Sequence, residues 1–226
     1  MKDDGYKELE PSAATASLLS RREFIKLLGG GILISFSFAD LEALQEEARR
    51  RGFRQALPTD FNAFLRIGED GRVACFTGKV ELGQGVMTSL AQTLAEELDV
   101  PLESVDMVMG DTDLCPYDMG TFGSMTTRYF GPSLREAAAE ARGVLLELAA
   151  ERLQLPLEQL EAKEGVIFDK ARHDKRVTYA ELTKGKKIER HLEKKPAPKA
   201  VSELTKIGKP TSRLDAQEKV TGKAQY

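Results

Sequence analysis

The chain has 226 residues, 41% of them hydrophobic and 31% charged, which suits one globular domain of ordinary size with extra segments. Its net charge of −3 at pH 7 carries no nucleic-acid signal, and there is no Trp. Neither of its two cysteines, Cys75 and Cys115, sits in a C-x-x-C pair, so the common zinc spacing is excluded. A disulfide between them and a pair of reduced, partly buried thiols both stay open. His173 and His191 lie in polar surroundings and are expected at the surface.

Residues 1–19 are polar and small, without a period. Ser20-Arg21-Arg22-Glu23-Phe24-Ile25-Lys26 then leads into an apolar run from Leu27 to Ala39 that contains Gly29, Gly30 and Gly31. The run is shorter than the roughly 20 residues a spanning helix needs, and three glycines make a poor free-standing helix. A charged head before a short apolar stretch is the layout of an export signal. The head resembles the twin-arginine signal S-R-R-x-F-L/I-K at every position, which implies export of an already folded protein to the periplasm. The segment is expected either to be removed near Ala39 or to be retained as a membrane anchor. Residues 1–40 are therefore assigned to the signal region and 41–59 to a charged spacer.

The domain proper is expected over residues 60–183. Phe61–Ile67 and Arg72–Thr77 flank the turn signal Gly68-Glu69-Asp70-Gly71 and predict a β-hairpin. Its second strand feeds into Gly78-Lys79-Val80-Glu81-Leu82-Gly83-Gln84-Gly85-Val86. Met87, Leu90, Ala91, Leu94, Ala95 and Leu98 then recur at helical spacing, with Glu96 and Glu97 on the opposite face, until Asp99-Val100-Pro101 ends the helix. On this reading Glu81 supports the glycine loop and Glu97 lies on the helix surface. A short turn precedes a strand at Asp106–Met109. Asp113–Thr127 reads as one long loop, and such loops in compact domains are often functional. A second helix opens near Gly131-Pro132-Ser133, with Leu134, Ala137, Ala138, Ala141, Leu145, Leu148 and Ala149 in phase; its alanines predict close packing.

Val100-Pro101-Leu102-Glu103 is echoed by Leu155-Pro156-Leu157-Glu158, each between a helix and a predicted strand, the second of these at Gly165–Phe168. The repeated unit predicts an α/β (α+β) domain, a sheet with packed helices. Thr178-Tyr179-Ala180-Glu181 has capping-box spacing. Residues 184–206, Lys-rich with Pro196 and Pro198, read as a solvated basic linker rather than a patch for an anionic partner. Residues 207–226 read as the opening of a further domain.

A strand, a glycine-rich loop and a helix start make a ready anion site, because loop and first-turn N–H groups point outward and the helix dipole favours negative charge. Gly83 and Gly85 permit close backbone approach, and the Gln84 amide offers a donor and an acceptor. No G-K-[ST] follows, and Val86-Met87-Thr88 replaces the last glycine of G-x-G-x-x-G, so a P-loop and a Rossmann cofactor are both disfavoured. The second loop, Gly120-Thr121-Phe122-Gly123-Ser124-Met125-Thr126-Thr127, adds hydroxyls before a helix. Two such loops can grip one extended, phosphate-bearing ligand, or they can be two ordinary tight connections.

Glu81-Leu82-Gly83-Gln84-Gly85, then Gly110-Asp111-Thr112, then Gly123-Ser124-Met125-Thr126-Thr127 resemble, in this order, the molybdopterin-binding large subunit of the xanthine dehydrogenase and aldehyde oxidase family. The exported branch typified by isoquinoline 1-oxidoreductase large subunits, the beta subunits of those enzymes, is the most similar. Residues 213–226, from Arg213-Leu214-Asp215 to Thr221-Gly222-Lys223-Ala224-Gln225-Tyr226, resemble the opening of that family's hammerhead domain. The resemblance implies a molybdopterin-binding-domain-like fold and molybdopterin, with the cytosine dinucleotide form among the candidates, held by Gly83, Gln84, Gly85, Gly123, Ser124, Met125 and Thr126.

It further implies oxidation of aldehydes or N-heterocycles with water-derived oxygen. The implied partners are the remainder of the large subunit, an iron–sulfur (2Fe–2S) small subunit and a cytochrome c. The catalytic glutamate and the glycine-rich loop over the metal would lie beyond residue 226, so the chain is expected to be an N-terminal part that is inactive alone. The alternatives are an exported, non-redox module for a phosphate-bearing ligand and a nonfunctional truncation.

Overall fold

The computed structural model describes residues 31–36, 63–118, 120–185, 187–188 and 196–224. The twin-arginine head at residues 20–26, the spacer and His191 lie outside the described residues.

The predicted hairpin is present. β2 (Ala63–Ile67) and β3 (Val73–Thr77) pair antiparallel, with Leu65 opposite Cys75. Gly71, at φ +79°, takes the left-handed position of the turn between them. Along β2 buried and half-buried residues alternate, so one sheet face packs inward and the other is only partly covered. From β3 the chain passes through α1 (Val86–Glu97) into β4 (Val105–Met109), which lies parallel to β3 with Val73 opposite Val105. Parallel neighbours need such a crossover, and a helix supplies it here.

On the other side of β2 lies β1 (Gly31–Phe36), antiparallel to it, with Ile32 opposite Ile67 and Ile34 opposite Leu65. Ile32 and Ile34 are 1% and 2% exposed, so they belong to the central core. The sheet thus crosses the boundary drawn at residue 40: half of the apolar run read as an export signal is an inner strand. A run that is apolar at nearly every position has the composition of a buried strand as well as that of a signal, and pairing with β2 gives it the strand form.

α2 (Gly131–Leu153) packs against α1 and β1, and all seven positions read as its apolar stripe are buried. It is preceded by a wide, π-helical turn over Thr126–Phe130, so helical backbone starts inside the stretch read as a loop. β5 (Leu160–Lys163), β6 (Val166–Asp169) and β7 (Arg176–Thr178) form a separate antiparallel meander. The strand expected at Gly165–Phe168 starts one residue later, because Gly165 (φ +74°) makes the β5–β6 turn. α3 (Tyr179–Thr183) carries the predicted capping box: the Glu181 N–H donates to Thr178 Oγ1 at 3.1 Å and the Thr178 N–H to Glu181 Oε2 at 2.8 Å. β8 (Lys187–Ile188) closes the larger sheet beside β1, giving the order β4-β3-β2-β1-β8. The domain is α/β, a mixed sheet with two packed helices and a smaller sheet.

The repeated Pro-Leu-Glu unit forms the same local structure twice. Leu102–Ser104 and Leu157–Gln159 are each one 3-10 turn after a proline, closed by Ser104 N–H to Pro101 O and Gln159 N–H to Pro156 O, both 3.1 Å. The strands that follow enter different sheets, so the echo is local. A buried tie joins α3 to the end of α1: the Tyr179 hydroxyl donates to the Leu98 carbonyl at 2.6 Å.

Within the stretch from Pro196 onward, much of which is exposed, Lys199 and residues 205–207 are tied back to α1. Glu97 is fully buried, not a helix-surface residue, and accepts from Arg135 Nε at 2.7 Å and from the Lys199 N–H at 3.0 Å. Glu96 accepts the N–H groups of Thr205, Lys206 and Ile207 at 2.8, 2.5 and 2.9 Å. The polar face of α1 is covered by the chain itself, so these carboxylates are anchors. Burial pushes the Glu96 carboxyl up, but these backbone donors outweigh it and hold it below the ordinary glutamate range. α4 (Ala216–Val220) is the last element among the described residues.

Candidate functional site

Both loops singled out in the sequence leave the carboxyl ends of the parallel pair β3 and β4, the edge where open α/β sheets usually place ligands. This explains why segments about 40 residues apart meet. At Gly78 the second loop crosses directly overhead: an added Cβ would lie 2.4 Å from Asp118 Cβ and 2.9 Å from the Pro116 carbonyl oxygen. Only glycine permits that approach. Lys79 then donates from Nζ to Asp118 Oδ1 and to the Gly120 carbonyl, both at 2.8 Å, with both side chains of the ion pair almost completely buried. The Val80 N–H donates to Thr121 Oγ1 at 2.8 Å. Together these contacts hold the two loops edge to edge.

The glycine loop is organised by Glu81. Its Oε1 accepts the N–H groups of Gly83 (2.8 Å) and Gly85 (2.9 Å), and its Oε2 that of Met87 (2.9 Å). The amides expected to face an anion are thus held by the chain's own carboxylate. The negative charge at the helix start comes from within, and Gly85, at φ +84°, makes the turn that allows it. Gln84 is folded into the same loop: its Oε1 accepts the Leu82 N–H at 2.5 Å and its Nε2 donates to the Val80 carbonyl at 3.1 Å. One Nε2 hydrogen and one Oε1 lone pair remain for a ligand.

Burial pushes the Glu81 carboxyl up, but the donors Gly85, Met87 and Gly83 and the charge of Arg213 outweigh it, so its pKa lies below the ordinary value. A depressed carboxyl stabilises the fold above its unfolded pKa, about 4.3, and that contribution is lost as pH falls through the lower folded value. Amide protection at Gly83, Gly85 and Met87, measured by hydrogen exchange, is therefore expected to be full above that unfolded value and to be lost only as pH falls below it. In a Glu81→Gln variant it should be low both above and below that value. Equal protection in variant and parent would contradict this role.

Between the loops lies a cavity of about 600 Å³ lined by Gln84, Gly85, Val86, Ser89 and the run from Thr121 to Thr127, with Leu82 at its edge. Of the residues expected to hold a cofactor, Gln84, Gly85, Gly123, Ser124, Met125 and Thr126 all line it. Gly83 does not; its carbonyl instead accepts from Arg213 Nη1 at 2.6 Å. Gly123 (φ +61°) and Ser124 (φ +57°) are consecutive left-handed residues. They turn the chain so that Thr126 and Thr127 enter the wide turn facing the same space.

The Ser124 and Thr127 hydroxyls make no hydrogen bond among the described residues. A Cβ added at Gly85 would have Arg213 Nη1 at 3.7 Å as its sole neighbour within 4 Å, so the backbone there is open to close approach. The lining contains no titratable side chain. Glycines, hydroxyls and an amide suit gripping a polar, extended group; they do not suit proton transfer.

Sequence reasoning missed three contributors. Lys79 and Asp118 form a buried ion pair across 39 positions, for which no local pattern exists. Arg213 reaches the glycine loop from the far end of the chain. The cysteines are both free, Cys75 fully buried and Cys115 half-buried, with the Cys115 thiol donating to the Val108 carbonyl at 3.3 Å. Burial pushes the Cys75 thiol far up, which makes it inert. His173 is exposed, as expected, and meets Phe168 edge to face.

Residues 21–218 match the family described as the molybdopterin cofactor-binding domain. A nicotinate dehydrogenase subunit of Pseudomonas putida is 39% identical over 163 residues, which cover 72% of this chain and 14% of that protein. The beta subunit of isoquinoline 1-oxidoreductase from Brevundimonas diminuta is 34% identical over 187 residues, covering 78% of this chain and 23% of that protein. The chain thus spans less than a quarter of the length of either relative. Among solved structures, reconstituted CO dehydrogenase from Oligotropha carboxidovorans aligns with 63% of this chain and 21% of that chain at 28% identity, with a TM-score of 0.49.

Proposed function

The chain belongs to the molybdopterin cofactor-binding domain family, and from that premise we propose that it supplies one wall of the cofactor site in the large subunit of a molybdenum hydroxylase. The substrates would be aldehydes or N-heterocycles, in keeping with the nicotinate and isoquinoline enzymes among its relatives. The observation that carries the reading is the cavity in which Gln84 and Gly85 face Gly123, Ser124, Met125 and Thr126.

The residues fit the group. Gln84 would present its remaining amide hydrogen and lone pair, Ser124 and Thr127 would donate hydroxyls, and Gly85 would let the backbone close in. When bound, the cofactor supplies a molybdenum centre that accepts an electron pair from substrate as water-derived oxygen is inserted. This chain's own residues bind and orient it; the proton-handling glutamate is assigned to the remainder of the large subunit. Electrons would leave through a 2Fe–2S small subunit and a cytochrome c.

Export to the periplasm by the twin-arginine route rests on residues 20–26. The place of Ile32 and Ile34 in the core favours retention of the segment over removal near Ala39. A non-redox module that grips a phosphate on the α1 start is disfavoured, because Glu81 already occupies those amides.

The test is Gln84→Ala in the assembled enzyme. Loss of one or two ligand hydrogen bonds should weaken cofactor retention by about 1–3 kcal/mol, read as molybdenum per protein by elemental analysis after dialysis. Unchanged molybdenum content and turnover would overturn the assignment.

A further inference from the structure

Arg213 joins the segment after residue 207 to the glycine loop beside the cavity. Its Nη1 donates to the Gly83 carbonyl at 2.6 Å, and its Nη2 lies 3.3 Å from Glu81 Oε1. The guanidinium is itself held in a fork by Asp215, with Nε to Oδ1 at 2.8 Å and Nη2 to Oδ2 at 2.7 Å. Asp215 in turn accepts from Lys219 Nζ at 2.5 Å, one helical turn along α4. Beside this array the Leu214 N–H donates to Thr88 Oγ1 at 3.0 Å, so the segment is seated on α1 by its backbone as well.

The charges alternate: Glu81, Arg213, Asp215, Lys219. Without Arg213, Glu81 would lose its cation at the rim of a cavity read as holding an anionic cofactor, and Asp215 would keep only Lys219. The Gly83 carbonyl would also lose the partner that turns it away from that cavity. The bidentate fork fixes the guanidinium plane in a way that an ammonium group cannot reproduce.

We propose that Arg213 is a positioning residue for the cofactor cavity: it clamps Glu81 and Gly83, and so couples the conformation of the glycine loop to the docking of residues 213–220. The coupling to the cofactor rests on the function proposed above; the clamp itself does not. The glycine loop is therefore fully ordered only when the segment from Arg213 onward is seated on it. The charged groups facing Glu81 in this array are Arg213 directly, and Asp215 and Lys219 through it.

The test uses the chain itself, with hydrogen exchange at Gly83, Gly85 and Met87 followed against pH. Arg213→Ala is expected to speed exchange at these three amides by about tenfold or more, while Leu65 and Cys75 in the sheet stay protected. It should also raise the pH at which loop protection is lost, because the cation that favours the charged Glu81 is gone. Arg213→Lys should recover less than half of the protection.

Wild-type exchange and an unmoved pH midpoint in Arg213→Ala would overturn the clamp. So would a uniform rise in exchange across sheet and loop, or full recovery by lysine. The cofactor reading stands or falls separately, on the molybdenum content of the Gln84→Ala enzyme.

Discussion

Replacing Ile34 with Asp is expected to unfold the domain or bring it close to unfolding. Ile34 lies on β1 opposite Leu65, 2% exposed, in the core shared by both helices. The substitution removes about 1.5–3 kcal/mol of apolar burial. It also places a carboxylate in the apolar core, which costs several kcal/mol more or forces the strand out. The sum is comparable to the whole stability of an ordinary domain, about 5–15 kcal/mol. Ile34→Val, which keeps the shape, should cost only about 0.5–1.5 kcal/mol. Urea unfolding followed by circular dichroism measures both. An unchanged midpoint for the Asp variant would mean that β1 is not an inner strand of the working protein, and the apolar run would revert to an export address alone.

Lys79→Met should be the second most damaging change, and the most informative one at the cavity. It leaves the fully buried Asp118 carboxylate without its cation and frees the Gly120 carbonyl, undoing the staple between the two loops. Removing one partner of a buried ion pair typically costs about 3–5 kcal/mol, mostly for the charge left behind. One oxygen of Asp118 already lacks a hydrogen-bond partner among the described residues. The double variant Lys79→Met, Asp118→Asn keeps an acceptor for the Gly120 N–H, now 2.8 Å from Asp118 Oδ1, and removes the charge. It should recover more than half of the loss. A double variant no better than the single one would show that the cost lies in packing around Lys79 and not in the stranded charge.

The readable parts of this chain were those governed by neighbours in sequence. The β2–β3 hairpin follows from alternation and a glycine turn, α1 and α2 from apolar period, and α3 from a capping box whose two partners are near neighbours. The cavity residues were visible for the same reason, since glycines, hydroxyls and an amide cluster in two short runs. What escaped was set by distant partners. β1 belongs to a nearly unbroken apolar run whose strand character exists only against β2. Glu96 and Glu97 fall on the polar face of α1 by period, and the return of residues 199–207, with Arg135 of α2 at Glu97, buries them. Arg213 and Glu81 are 132 positions apart. A charge pair of that separation leaves no pattern in sequence, and so the clamp on the glycine loop could not be read there.

The wide turn at Thr126–Phe130 has a further consequence for helix phase. A π-helical turn accommodates one residue more than an α-helical turn of the same length. Each residue of an α-helix advances the side chains by about 100°. From Gly131 onward, α2 must keep its alanine stripe against α1 and the sheet. Thr126 and Thr127, at the start of the wide turn, line the cavity while Ala137 and Ala141 look into the core. An unbroken α-helix through this stretch would bring one of the two faces into register only by rotating the other away. The turn thus works as a phase shifter at the start of the helix, where the cavity-lining threonines meet the core-facing alanine stripe.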